Sequence, residues 1–152
     1  MRIHCLGGGL VGSFVTRKLV GDGHDVHLYD VVERDTPATF HLEDAASADH
    51  SEADFVVNMV PGSIGHEVLK TLHARGHRIV DLSFSETTPD QLPAGSGVVL
   101  WDVGIAPGLS NMLVALAHRE LGRLDKVSIK VGGNPAHPDD GWSYMAPFSP
   151  HD

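Results

Sequence analysis

The stretch Arg2-Ile3-His4-Cys5-Leu6-Gly7-Gly8-Gly9-Leu10-Val11-Gly12 opens the chain and decides its fold. A run suited to a short buried strand stops at three glycines, and residues 10–20 follow with Val11, Phe14, Val15 and Leu19 at the spacing of one helix face. Gly21-Asp22-Gly23-His24 is turn chemistry, and Asp25-Val26-His27-Leu28-Tyr29-Asp30 alternates as a second strand ending on an acid. Strand, glycine turn, helix and strand make a βαβ unit. Its right-handed crossover sets the two strands side by side and parallel.

Outward from this unit, residues 40–42 read as a third strand and residues 55–60 as a fourth, closed by Pro61-Gly62. Residues 64–75 carry Ile64, Val68, Leu69 and Leu72 on one helical face and stop at Gly76, a residue suited to a left-handed helix end. Residues 77–82 and 98–103 are further strands. Residues 109–121 form a regular helix with Leu109, Met112, Leu113, Leu116 and Leu121 facing one way, and residues 126–131 make a last strand. This alternation implies an α/β, Rossmann-like, doubly wound and mostly parallel sheet covered on both faces. From Gly132 onward the chain is rich in Gly, Pro and His and shows no periodicity. The expected organisation is a nucleotide-binding domain over 1–124 and the incomplete start of a second, α+β domain over 125–152.

The 152 residues suit one domain and not two. Eleven Lys and Arg oppose 20 Asp and Glu, a formal charge of −9 with the 11 histidines neutral. This balance argues against nucleic acid or an anionic membrane as partner, because phosphates call for clustered cations. No run approaches the roughly 18 apolar residues of a spanning helix. The single Cys5 can form no internal disulfide, which suits a reducing, cytoplasmic setting. No metal site is expected: His4 and Cys5 fall inside the first strand, and His73 and His77 are separated by Gly76 without a partner motif.

Gly7, Gly9 and Gly12 stand at the glycine positions of G-x-G-x-x-G. Gly7 permits the sharp turn out of the strand, Gly9 lets a pyrophosphate approach the backbone, and Gly12 lets the helix lie close on the sheet. The phosphates would then meet the amides of the helix start, at Leu10 and Val11, where the dipole is positive. No basic side chain is needed for that, so an acidic chain can still bind a dinucleotide. Asp30 lies 30 − 12 = 18 residues beyond the last glycine, the place of a carboxylate that takes the ribose hydroxyls. It favours NAD over NADP by repelling a 2′-phosphate, while nearby Arg34 keeps NADP open. Val60 and Pro61, just past a strand end, either line the nicotinamide side or belong to an ordinary turn.

Asp81 and Asp102 each end an expected strand, and parallel strands bring both to the cofactor edge. An acid there holds a substrate ammonium or accepts a proton, or else caps and braces a loop. Ser83 and Phe84 are candidate substrate contacts by the same placement. In Gly104-Ile105-Ala106-Pro107-Gly108-Leu109-Ser110-Asn111, proline and glycine fold the backbone before a helix that Ser110 or Asn111 is suited to cap.

These pieces together resemble the N-terminal part of the saccharopine dehydrogenase and lysine 6-dehydrogenase family. The resemblance rests on Gly7-Gly8-Gly9-Leu10-Val11-Gly12, Asn58-Met59-Val60-Pro61-Gly62, Val80-Asp81-Leu82-Ser83-Phe84, Asp102 to Asn111, Val131-Gly132-Gly133 and Phe148-Ser149-Pro150, in that order. It implies an NAD(P)-dependent oxidoreductase that exchanges hydride at a C–N bond of an amino acid, amine to imine or the reverse. Ala106 stands where saccharopine reductases usually carry an acid, which leans towards the lysine 6-dehydrogenase side, and Asn134 replaces a more usual apolar residue. Family members continue into a substrate and dimerisation domain. The resemblance therefore implies a cofactor half with weak or no turnover unless a second chain supplies the rest, and a homodimer where the missing domain is present. A different class, a non-catalytic dinucleotide sensor like the regulatory domains of ion channels, shares the strand, glycine turn, helix and terminal acid.

Overall fold

Six short strands form one sheet in which every neighbouring pair is parallel, an arrangement that needs cover on both faces. The computed structural model describes residues 1–84, 87–130 and 137. In chain order the elements are β1 (Arg2–Leu6), α1 (Leu10–Gly21), β2 (Asp25–Asp30), β3 (Thr39–Leu42), β4 (Phe55–Asn58), α2 (Gly62–Ala74), β5 (Arg78–Asp81), β6 (Val98–Leu100) and α3 (Ser110–Leu121). The sheet order is β3-β2-β1-β4-β5-β6, the doubly wound Rossmann-like arrangement, in which winding reverses between β1 and β4.

Side chains alternate across each strand and so divide the core in two. Ile3, Cys5, Val26, Leu28 and Val57 fill one face, with Leu19 and Val20 of α1 packed on them. Leu6, Tyr29, Val56 and Ile79 fill the other, against Val68, Leu69 and Leu72 of α2. Burial pushes the Cys5 thiol up to about 11, so it remains an unreactive core residue.

Helix α1 turns inward only part of the face its apolar spacing suggests: Leu19 packs on the core, but Val11 and Phe14 point outward. Gly12 and Thr16 are its buried residues, whereas Val11 is exposed and Phe14 is 72% exposed. The close approach of α1 to the sheet explains this: only small side chains fit beneath the helix axis there. In α2, Val68, Leu69 and Leu72 are buried as their spacing predicts, and Ile64 is exposed.

The described chain divides into two compact units, Met1–Val103 and Gly104–Asp152, where the sequence draws its boundary after residue 124. The first unit holds the whole sheet. In the second, no residue of α3 is buried, and the expected face of Leu109, Met112, Leu113 and Leu116 is open. Residues 126–130 form no strand, because no described strand lies alongside to pair with them. Val131-Gly132-Gly133, Asn134 and Phe148-Ser149-Pro150 lie outside the described residues. Among the described residues no helix is long and apolar enough to cross a membrane.

Leu72 is fully buried between α2 and the sheet. Leu72→Ala is expected to lower unfolding free energy by about 2–5 kcal/mol in urea denaturation. A loss under about 1 kcal/mol would mean that α2 does not close this face.

Candidate functional site

All six strands run the same way, so their C-terminal ends share one edge of the sheet. The pairings Leu6↔Tyr29, Leu6↔Asn58 and Asn58↔Asp81 bring Gly7, Asp30, Met59 and Ser83 just beyond that edge. Open parallel sheets bind ligands at such an edge, where the winding reverses.

The glycine turn occupies that reversal. Gly7 has φ +88°, a region that favours glycine, and its N–H donates to the Tyr29 carbonyl at 2.9 Å. A Cβ on Gly7 would lie 2.8 Å from the Met59 carbonyl oxygen, so the turn is wedged against the end of β4. A Cβ on Gly12 would overlap the Gly7 carbonyl oxygen, whereas a Cβ on Gly9 would meet nothing within 4 Å. Packing of the chain therefore explains the glycines at 7 and 12. It does not explain the glycine at 9.

Gly9 stands at the N-cap of α1 without a side-chain cap, and the first turn carries no acid. The amides of Leu10, Val11 and Gly12 thus begin the helix without intrahelical partners, at the positive end of its dipole. Leu10 and Val11 project their side chains outward, leaving this end open. Ser13 braces the turn from behind, its hydroxyl donating to the Gly8 carbonyl at 2.8 Å.

Asp30 is 8% exposed and organises the neighbouring segment. One of its oxygens accepts from the Gly8 N–H at 2.6 Å and from Arg34 Nε at 3.0 Å, and the other accepts from the Val32 N–H at 2.8 Å. Burial raises its pKa, but the Val32 and Gly8 amides and the Arg34 guanidinium outweigh that and hold the carboxyl below its ordinary range. This stabilisation is complete above the unfolded carboxylate pKa of about 3.9 and disappears only as pH falls through the depressed value. The sequence raises Asp30 as a candidate ribose acid. It gives no sign that the same carboxylate ties the glycine turn to the β2 end.

Further along the edge, Asp81 is fully buried and accepts from Asn58 Nδ2 at 2.7 Å and from Ser83 Oγ at 3.0 Å. Burial, with the Asp102 charge adding to it, raises the Asp81 carboxyl above its usual range despite these bonds. Ser83 is itself buried, and Val60 packs into the core beneath the turn. Pro61, Phe84 and Asp102 are the more open groups of this region. Phe84 and Asp102 both adopt positive φ, +52° and +54°, outside the usual range for residues with a side chain. Burial raises the Asp102 carboxyl as well. Gly62 admits the 83–84 backbone closely and Gly65 the Ser83 side chain; a Cβ on Gly62 would stand 2.6 Å from the Phe84 carbonyl oxygen. The paired glycines and the two positive-φ residues are features that strand and motif reading did not flag. The glycine spacing at 62 and 65 is the one signal present in the sequence.

In the second unit, Asn111 Oδ1 accepts from the Gly108 N–H at 3.0 Å and fixes the bend ahead of α3. Leu109 stands at the helix N-cap without a side-chain bond, so Ser110 and Asn111 act around the bend and not as helix caps.

No family model matches the chain. Solved structures similar to it include a putative F420-dependent NADP reductase from Arthrobacter sp. FB24, 25% identical over 57% of this chain and 49% of that one, with a TM-score of 0.41. A 2-hydroxyacid dehydrogenase from Ketogulonicigenium vulgare Y25 is 18% identical over 81% of this chain and 52% of that one, at 0.42. UDP-N-acetylglucosamine 4-epimerase from Bacillus cereus is 15% identical over 80% and 56%, also at 0.42. The chain spans about half the length of these structures. None of the three is a saccharopine dehydrogenase.

Gly12→Ala is expected to destabilise the fold by about 1–3 kcal/mol, because the added methyl forces α1 off the glycine turn. Thermal unfolding measures this. An unchanged midpoint would show that the turn and helix can separate without cost.

Proposed function

We propose that this chain is the cofactor-binding part of an NAD(P)-dependent oxidoreductase. The observation that carries the reading is Gly9: no packing contact requires a glycine there, yet it lies between the bare amides of α1 and the Asp30 carboxylate. Gly7, Gly9 and Gly12, with the Leu10 and Val11 amides, would hold the pyrophosphate, and Asp30 the adenosine ribose. The Asp30 oxygen facing Val32 accepts one bond in the structure, so a lone pair remains for a ribose hydroxyl. Its negative charge supports NAD over NADP; Arg34 on the same carboxylate is the opposing feature.

Val60 and Pro61 would bound the nicotinamide side of the cleft, Val60 through its backbone. The bound nicotinamide supplies the hydride acceptor. Asp102, half-buried and with a raised pKa, suits the proton acceptor, and exposed Phe84 suits a substrate contact. Asp81 and Ser83, hydrogen-bonded to each other and buried, fit a positioning role beneath them. Guided by the family resemblance, the substrate class is an amino acid oxidised or reduced at its C–N bond, in a cytoplasmic setting, with the remaining pocket and any homodimer contacts supplied by a further domain.

A non-catalytic dinucleotide sensor is the second reading. The burial of Asp81 favours it, since that carboxylate is shielded from solvent by its own neighbours.

Titration calorimetry with NAD and NADP tests the proposal. The wild-type chain is expected to bind NAD more tightly than NADP, and Gly9→Ala to lose about tenfold or more in affinity with an unchanged melting temperature. No binding of either nucleotide, or full binding by Gly9→Ala, would overturn the reading. Turnover of L-lysine with NAD would exclude the sensor reading.

A further inference from the structure

Between β3 and β4 the chain crosses over without a helix; residues 43–54 form a loop. Aromatic and imidazole rings cover the sheet where a crossover helix would otherwise lie. His4 of β1, His27 and Tyr29 of β2, and His41 of β3 project from one face, and His50 of the loop descends onto them. Tyr29 and His41 stack with centroids 4.4 Å apart and planes 7° apart, and His77, just ahead of β5, meets the edge of His50 at 6.1 Å.

The hydrogen bonds fix the protons. His50 Nε2 lies 2.8 Å from the Ala45 carbonyl, which only accepts, so Nε2 carries the hydrogen and neutral His50 has a bare Nδ1. That Nδ1 lies 2.9 Å from His4 Nδ1, which must therefore donate. A proton added to His50 Nδ1 keeps that bond only when His4 moves its own hydrogen to Nε2, and with both rings protonated two N–H groups face each other. His27 Nδ1 and His41 Nε2 form a second pair at 2.9 Å, which likewise needs one donor and one acceptor. The docked pair has no hydrogen-bonded arrangement for two added protons, and its neighbours compound the restriction. Arg2 and Arg75 add positive charge around the cluster, opposed by Asp25 near His27 and by Asp49, with Glu43 and Glu52 acting on Tyr29.

We propose that this cluster is a proton-operated latch, in which neutral His50 seated on His4 holds loop 43–54 against the sheet and protonation of the pair releases it. Burial, followed by the neighbouring histidines, lowers His4 to about 4, and burial lowers His50 as well. The sign follows. Released rings take up protons below about pH 6.5 while docked rings do not, so the docked loop is favoured at high pH and lost as pH falls from about 6.5 towards 4. His4 alone changes the docked-to-released ratio by about tenfold per pH unit across that window, and His50 adds in the same direction. The loop begins at Glu43, whose N–H donates to the Asp30 carbonyl at 3.1 Å, so release also frees the strand end carrying the acid. That last consequence rests on the dinucleotide reading; the latch itself does not.

Hydrogen exchange on the whole unliganded chain, corrected for intrinsic rates, tests the latch without cofactor. Protection of the Ala48 and Ala53 amides, bonded within the loop to Asp44 and His50 carbonyls, is expected to fall about tenfold or more from pH 7.5 to 5.5, while Leu69 and Leu72 of α2 stay protected. In the double variant His4→Asn, His50→Gln, which keeps both donors and removes both titrations, the loop should change less than about twofold. Loop protection that is constant with pH, that falls in step with α2, or that falls equally in the double variant would overturn the proposal. Should the variant not fold, the wild-type contrast between loop and α2 decides alone.

Discussion

The approach of α1 to the turn behind it is the constraint on which the site depends. At Gly12 the helix lies so near the Gly7 carbonyl that no side chain fits between them, and Gly7 in turn is pressed against Met59 at the end of β4. Three elements thereby meet at the point where the sheet reverses its winding. This contact aims the start of α1 at the sheet edge instead of past it. It also explains why Gly12 and Thr16, and not the larger Val11 and Phe14, are the residues beneath the helix. Close packing at the turn and an exposed apolar surface on α1 are two results of one geometric demand.

Asp30 joins this turn to the second strand. Its carboxylate receives the Gly8 amide, the Val32 amide and the Arg34 guanidinium, so the charge expected to meet a ribose also holds its own surroundings in place. Prior fixing of such a group reduces the ordering cost of a bound ligand. Behind it, Tyr29 belongs to the ring cluster and its carbonyl holds the Gly7 amide, so the glycine turn, Asp30 and the loop over the histidines share one strand end.

Much of this was legible in the sequence because it depends on local rules. Strand, glycine turn and helix over residues 2–21, and the acid at 30, follow from periodicity and turn chemistry; even the short β3 announces itself through Phe40 to Leu42. What escaped depends on pairing across distance. The burial of Asp81 is set by Asn58 and Ser83, and the ring cluster draws histidines from five separate segments, none of which signals the others. Val11 and Phe14 of α1 were placed inward because hydrophobic spacing assumes that the largest apolar residues turn inward, an assumption that fails where backbone must approach backbone. Residues 126–130 have a strand's composition, but composition provides no neighbouring strand.

The central claim is that the amides at the start of α1 receive a dinucleotide pyrophosphate. Backbone amide NMR shifts recorded while NAD is added test it most directly. The account predicts that Gly9, Leu10, Val11 and Gly12 respond first and most strongly, with Asp30 following them along the same binding curve. Shifts confined to other parts of the chain, or none at saturating nucleotide, would contradict it.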